Sequence, residues 1–450
     1  MENRLVRILN VSIENFKNTY RGEIKLSNIN GSKKASDIIG IYGQNGSGKT
    51  SIITAVSLIK KIISGKSLDN DIFKYMMSDE LETKIAVKFF VEAKRKKYEV
   101  EYSVKIIKKL QDNEIIPVIE NEALVYWDID SKNNRRKSLI INDNSDNIIK
   151  PLYRYKEIVE KFDNVNDFIV DKKIAYRERK SFIFSRIPFV SIDSLPDEYE
   201  IIGTLKWYVM ANLFIVENEM LALSDANLVL PIGIRSYDRR ESGVISIGLD
   251  KPNSIPISLF ESVEKSLKSS NKVMEKLVPG LKIELRMLNR SLNENGSEMI
   301  DVELLSIRGK SEIPIRYESD GIKKIVSIIN LLIGVYNYRT LTVLVDEIDS
   351  GIFEYLLGEI IEILSEGAKG QLIFTSHNLR PLEILNNYNL VFTTSNPYNR
   401  YIRLKNVNAN NNIRDMYYRT ILLDGQDEKL YDDTSQVKIK RAFEKAGEML

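Results

Sequence analysis

Residues 43 to 50 read Gly43-Gln44-Asn45-Gly46-Ser47-Gly48-Lys49-Thr50, a glycine-spaced loop that ends in a lysine and a threonine. Glycines at that spacing let the backbone curl so that its amide N–H groups converge on an anion. A helix that begins where the loop ends adds the positive end of its dipole. The chemistry expected is that of a triphosphate, with ATP and Mg2+ as cofactors: Lys49 reaches the β- and γ-phosphates, and Thr50 ligates magnesium. Downstream, Leu341-Thr342-Val343-Leu344-Val345 is an apolar run ending in two carboxylates, Asp346 and Glu347. Asp346 is placed to hold the magnesium shell and Glu347 to orient or deprotonate the attacking water; acids at a strand end also serve as solvated turn residues. One apolar run later, Phe374-Thr375-Ser376-His377-Asn378 puts the sole histidine where the crevice of a parallel sheet opens, and donation to the γ-phosphate is its expected role.

These residues need strands and a helix to position them, and the sequence supplies both. Asp37 to Tyr42 is a short apolar strand running into the glycine loop, and Ile52, Ala55, Val56, Ile59, Ile62 and Ile63 then recur at helical spacing up to Gly65. Thr342–Val345 and Gln371–Phe374 have the unbroken apolar character of buried parallel strands. Residues 4 to 28 alternate apolar and polar and suggest a strand pair turning near Asn18 or Gly22. Alternation returns at Thr83 to Val91, Tyr98 to Ile107 and Ile115 to Asp128, as an antiparallel sheet beside the nucleotide core, and again at Leu281 to Leu288 and Met299 to Arg308. Residues 151 to 280 change to charged, longer-period segments such as Tyr199 to Leu223 and Pro256 to Leu277. The fold expected is α/β, a P-loop NTPase head with an antiparallel β subdomain, divided as 1–150 and 281–450 around a mostly helical insertion at 151–280. Between the insertion and the acidic strand, Tyr317-Glu318-Ser319-Asp320-Gly321-Ile322 is a polar turn opening a helix, either an anion site or a simple cap.

Composition closes off other chemistries. The chain has 450 residues, no cysteine and one histidine, which removes disulfide frameworks, thiolate metal sites and multi-histidine centres, and makes a reducing cytoplasm the default compartment. Lys plus Arg number 65 against 63 Asp plus Glu, so bulk charge selects no partner. The longest apolar stretch, Ile325 to Tyr336, falls well short of the roughly 20 residues a membrane span needs.

In order along the chain these elements resemble the ATP-binding-cassette ATPases of the SMC and RecF lineage. The likeness rests on the glycine loop, the opening Ile13-Glu14-Asn15-Phe16-Lys17, the Ser319-Asp320-Gly321 turn, Asp346-Glu347 followed by Ile348-Asp349-Ser350-Gly351, and Ser376-His377. More narrowly, Glu318-Ser319-Asp320-Gly321 with Asp346-Glu347-Ile348-Asp349 is similar to prokaryotic AAA-type ATPases of phage defence: the overcoming-lysogenisation-defect class, abortive-infection ATPases and the ATPase of PARIS. The resemblance implies ATP hydrolysis and head-to-head homodimers or higher homo-oligomers. In them Ser319 and Gly321 of one subunit complete the ATP site of the other, and Asp349 lies in the loop that crosses between them. It also implies an antiphage sensor or scaffold controlling a separate effector, with a RecF-like repair ATPase and a nucleotide-gated scaffold of little turnover as alternatives. Ser-Asp-Gly replaces the transporter-type signature, and the long coiled coil of SMC proteins is missing. Gln44 and Gln111 are the early glutamines available for the Q-loop of such enzymes, and Gln44 already belongs to the phosphate loop.

An effector within the same chain finds little support. A histidine nuclease needs imidazoles beyond His377, and about 45 residues after the last core strand are too few for a TOPRIM domain. Pro196-Asp197 followed by Lys206 hints at a metal-nuclease core, but Thr204 stands where a second carboxylate is needed. The effector expected is therefore a separate nuclease or toxin. DNA-backbone contact is a further reading for Lys172-Lys173-Ile174-Ala175-Tyr176-Arg177 with Arg179-Lys180-Ser181-Phe182, for Lys94 to Lys97, and for Arg135-Arg136-Lys137, though charged hairpin tips are commonly just solvated.

Overall fold

A computed structural model describes residues 4–26, 37–111, 113–131, 135–160, 165–185, 197–218, 229–235, 242–407, 412–423, 425–432 and 435–447. The chain opens with β1 (Leu5–Phe16), β2 (Thr19–Lys25), β3 (Asp37–Tyr42) and α1 (Lys49–Ile63), then a meander of β4 (Glu82–Ala93), β5 (Lys96–Gln111), β6 (Glu114–Asp128), β7 (Lys137–Asp143) and β8 (Ile149–Lys150). Next come α2 (Leu152–Val159), α3 (Val165–Arg177), α4 (Phe182–Ser185), α5 (Glu200–Ala211), β9 (Leu213–Val216), β10 (Val229–Arg235), β11 (Ser242–Gly248), β12 (Asn253–Pro256) and α6 (Ile257–Leu277). The last part holds β13 (Leu281–Leu292), β14 (Glu298–Arg308), β15 (Ser311–Pro314), α7 (Asp320–Asn337), β16 (Thr342–Val345), α8 (Glu354–Gly367) and β17 (Gln371–Thr375). It closes with α9 (Pro381–Ile384), β18 (Leu390–Thr393), β19 (Tyr401–Ile402), α10 (Ile413–Leu423) and α11 (Gln436–Gly447).

The central sheet has the order β19-β18-β3-β17-β16-β9, parallel except for β19. Its strands are buried on both faces, which is why they read as unbroken apolar runs. Ile39 and Ile41 point into one core with α1 and the meander, while Ile38 and Tyr42 point into a second core with α6, α7 and α8. The antiparallel sheet has the order β2-β1-β4-β5-β6-β7-β8 and lays alternate residues such as Ile85, Val87 and Phe89 on α1. Where β1 bulges between Ile8 and Asn10, the Gln371 carboxamide pairs with the Ile8 backbone at 3.1 and 2.8 Å and ties the two sheets together.

The β1–β2 turn falls at Lys17-Asn18. Residues 151–280 hold α2 to α6 and, in addition, four short strands that periodicity did not single out. Of these, β9 joins the central sheet beside β16, and β12 joins β13 to β15 in a third sheet. Lys172, read from the sequence as a DNA contact, is buried: its ammonium donates to the carbonyls of Asp143, Asp146 and Ile148, and burial lowers its pKa. It pins α3 to the β7–β8 loop and is not a surface cation. Pro196, the first residue of the Pro196-Asp197 and Lys206 pattern, lies outside the described residues.

Candidate nucleotide site

The phosphate loop leaves β3 at Tyr42 and enters α1 at Lys49. Gly48 caps the helix in the left-handed region (φ 94°), and the first turn of α1 carries no acid, so the helix dipole is uncompensated at the loop. At Gly43 a Cβ would lie 1.7 Å from Oγ1 of Thr393, so a side chain there is excluded by the neighbouring strand β18. Ser47 donates to the Gln44 carbonyl (2.6 Å) and bonds the Thr393 hydroxyl. Asn18 donates to the Gly46 carbonyl and Tyr401 to the Gly48 carbonyl (2.7 Å), so the loop is braced from the β1–β2 turn and from β19. The Gln44 side chain is turned outward, where Oε1 accepts from the Asp432 N–H at 3.1 Å. Asn45 is exposed.

Lys49 is buried and donates to the carbonyls of Gly43 (2.9 Å) and Gln44 (3.1 Å) within the loop. Burial pulls its pKa below the usual lysine range, opposed by Glu347, Asp346 and Asp349. Thr50 donates to Oδ1 of Asp346 at 3.2 Å, joining the start of α1 to the end of β16. Oδ2 of Asp346 is buried without a hydrogen-bond partner, the kind of orphaned oxygen a cation satisfies. Among the described residues no group of three or more acids and histidines forms a metal cage. That suits magnesium, which takes one or two protein oxygens and fills the rest of its octahedron with phosphates and water. Thr50 and Asp346 are the residues that would hold it.

Glu347 sits at φ 47°, a left-handed conformation that costs a non-glycine residue about 1 kcal/mol or more. Three contacts hold it there. Its N–H donates to Thr375 Oγ1 (2.7 Å), its carbonyl accepts from Lys324 Nζ (3.0 Å), and its Oε2 accepts from Asn218 Nδ2 (3.0 Å). Thr375 also donates to Asp346 Oδ1 at 2.6 Å, so one hydroxyl sets both acids. Asp349 accepts through Oδ2 from the N–H groups of His377 (3.1 Å) and Asn378 (3.0 Å), which fixes the turn bearing the exposed His377.

Lys49, Thr50, Asp346, Glu347, Asp349 and the His377 turn are thus gathered at the ends of β3, β16 and β17. Ser319 and Gly321 are not part of that cluster. Ser319 caps α7 by accepting from the Ile322 N–H (3.4 Å), and Gly321 packs so closely on Gly351 that a Cβ would lie 2.0 Å from the Gly351 carbonyl oxygen. In this chain Asp349 is engaged with its own His377 turn. From sequence Asn18 stands out only as a turn position and Thr375 only as part of the run before His377, and Asn218, Lys324 and Thr393 carry no site role. Thr375 is detectable as a hydroxyl closing an otherwise apolar strand, and Asn218 as a polar residue two past the β9 run; neither pattern names a partner.

A family model described as "AAA domain, putative AbiEii toxin, Type IV TA system" matches residues 38–383, more than half of the chain. The chain belongs to that family. In this AAA-domain protein the glycine loop follows β3 and the acidic pair follows β16, both inside the matched residues. Among solved structures, the head domain of SMC from Thermotoga maritima is similar at 14% identity, covering 89% of this chain and 99% of its own, with a TM-score of 0.36. The SMC head domain with coiled coil and joint from Pyrococcus yayanosii is similar at 11% identity, covering 89% and 98%, with a TM-score of 0.42. No curated protein matches the AAA-domain chain in sequence. Among its described residues no helix is long and apolar enough to cross a membrane.

Proposed function

We propose that this AAA-domain protein hydrolyses ATP with Mg2+, and that it serves as a sensor or scaffold of an antiphage, abortive-infection system. Residues 1–150 and 281–450 close the head, with 151–280 inserted between them and lending it β9. The observation that carries hydrolysis is Glu347, kept in an unfavourable backbone conformation by Thr375, Lys324 and Asn218 beside a lysine-bearing phosphate loop. A carboxylate held that rigidly is preorganised to orient water for in-line attack. Lys49 and the loop amides position the β- and γ-phosphates, and His377 donates to the γ-phosphate. Magnesium, when bound, neutralises charge on the phosphate oxygens. What supports the defence role is the family description, which names a putative AbiEii toxin and a type IV TA system.

On this reading two heads meet face to face, with Ser319 and Gly321 of one reaching the ATP of the other, and the assembly restrains a separate nuclease or toxin. The toxin in the family's description favours a second reading, in which the chain is itself the toxic member of a toxin–antitoxin pair. Affinity capture of the tagged chain from its own cell, with and without ATP, together with its expression alone, separates the two. A copurifying effector and harmless expression support the first reading. Growth arrest by the chain alone, abolished by Lys49→Ala, supports the second. A purified chain that neither binds nor hydrolyses ATP overturns both.

A further inference from the structure

Arg400 lies on the short segment that joins β18 to β19, and it is only 6% exposed. Its Nη1 donates to the Thr394 carbonyl (2.7 Å) and its Nη2 to the Asn18 carbonyl (2.5 Å), while Nε is buried with no partner. Among the described residues no carboxylate forms an ion pair with it. Burial pulls its pKa below the usual arginine value, opposed through space by Tyr401 and Asp432. A guanidinium cannot shed its proton to escape that environment. A buried cation surrounded only by carbonyl dipoles therefore stays costly until an anion faces it.

The fold does not need that charge to shape the segment. The Thr394 N–H already donates to the Arg400 carbonyl (2.9 Å), the Thr394 hydroxyl donates to the Asn399 carbonyl (2.7 Å), and Thr393 pairs with Tyr401 across β18 and β19. What the side chain adds is directed at the phosphate loop. Its stem lies along Gly48, where a Cβ would be 3.3 Å from both Cγ and Cδ of Arg400. The Asn18 backbone that it holds carries the amide that braces the Gly46 carbonyl, and Oδ1 of Asn18 accepts from Ser51 (3.4 Å) in the first turn of α1. We infer that Arg400 is a positioning residue of the nucleotide site, and that the triphosphate supplies the counter-charge it lacks within the protein. It keeps Asn18 against Gly46 and sets a second positive charge beside the loop, in addition to Lys49. The inference rests on the ATP reading of that site.

The test compares Arg400→Gln, which removes the charge, with Arg400→Lys, which keeps it, by calorimetric titration with the magnesium complexes of ADP and of the non-hydrolysable ATP analogue AMP-PNP. The glutamine variant should bind AMP-PNP about tenfold more weakly and ADP by a smaller factor. Its KM for ATP should rise by the same factor as the AMP-PNP loss, with kcat lowered less than threefold. The lysine variant should bind AMP-PNP within about threefold of wild type. Equal losses in the two variants overturn the inference, because the charge is then not the cause. Melting without nucleotide separates this role from a structural one. Removing an uncompensated buried cation should leave the nucleotide-free melting temperature of Arg400→Gln at or above that of wild type. A variant that melts lower yet binds AMP-PNP as tightly as wild type has lost only packing and overturns the inference. Asn18→Ala tests the brace without touching the buried cation: it keeps the carbonyl that Arg400 holds and removes the amide on Gly46. Its AMP-PNP affinity should fall about threefold, and unchanged affinity counts against the relay. Wild-type chain that binds neither nucleotide sinks the ATP reading and this inference together. Wild-type chain that binds both, with Arg400→Gln equally tight, sinks this inference alone.

Discussion

Thr375 donates its hydroxyl hydrogen to Asp346 at 2.6 Å and accepts the N–H of the next acid, Glu347, at 2.7 Å. A single side chain on β17 therefore orients both carboxylates at the end of β16. Replacing it by valine keeps the volume but removes both bonds. ATP turnover in Thr375→Val should fall about 10- to 100-fold, with KM for ATP little changed, as when a supporting group is lost behind a metal site. Thr375→Ser should retain most activity. Steady-state kinetics of the three proteins checks this, and wild-type kcat in the valine variant refutes it.

Glu347→Gln should bind ATP normally and hydrolyse it at least 100-fold more slowly, accumulating the ATP-bound assembly. Asn218→Ala should slow turnover about tenfold by freeing the Glu347 carboxylate, while leaving nucleotide affinity intact. Single-turnover hydrolysis separates chemistry from release. Unchanged rates in Glu347→Gln remove that residue from the reaction.

Ligand linkage gives a readout free of catalysis. Mg-ATP at 100 times its Kd should stabilise the native chain by about 2.7 kcal/mol, seen as a rise in melting temperature. Lys49→Ala should abolish the rise. Chelating magnesium should shrink it, because the Asp346 carboxylate is then left facing bare triphosphate.

Gly321→Ala should be costly, since its Cβ meets the Gly351 carbonyl at 2.0 Å and one backbone must move. A loss of about 1–3 kcal/mol in urea unfolding is expected. Ser319→Ala removes only the cap and should lose about 1 kcal/mol. A Gly321→Ala protein as stable as wild type contradicts the packing described.

Glu122 is fully buried and accepts from Tyr102 (2.9 Å), Ser181 (2.6 Å), Asn142 (3.2 Å) and the N–H groups of Phe182 (2.7 Å) and Ile183 (3.2 Å). Glu122→Ala strands those donors and should cost about 3 kcal/mol. Burial raises its carboxyl pKa despite the hydrogen bonds. The folded chain thus holds that proton more tightly than the unfolded chain does. The contribution of Glu122 to stability, measured against Glu122→Gln, should be greatest at acid pH and decline as pH climbs through the carboxylate range toward the raised value. A difference that grows with pH reverses this assignment.

Much of the site was legible because its parts demand unusual residue types. A loop that wraps an anion requires glycines, and strands buried on both faces must be continuously apolar, so β3, β16, β17 and the residues at their ends announced themselves. What bound them together did not. Thr375 and Asn218 act through contacts across 28 and 129 positions of sequence, which no local pattern encodes. β9 escaped notice as a four-residue run at the end of a helical stretch, too short for periodicity to tell strand from helix. Lys172 misled because a lysine's charge is visible in sequence while the three carbonyls that accept its hydrogens are not.

The strands of the central sheet come from far apart in the chain: Asp37 pairs with Gln371, Gly40 with Leu390, and Leu213 with Thr342. During synthesis β3 and the phosphate loop therefore emerge hundreds of residues before the strands that flank them, and such long loops close slowly. The early meander can fold on its own schedule, but the glycine loop lacks its flanking strands and the Thr393 brace until residue 393 has been delivered.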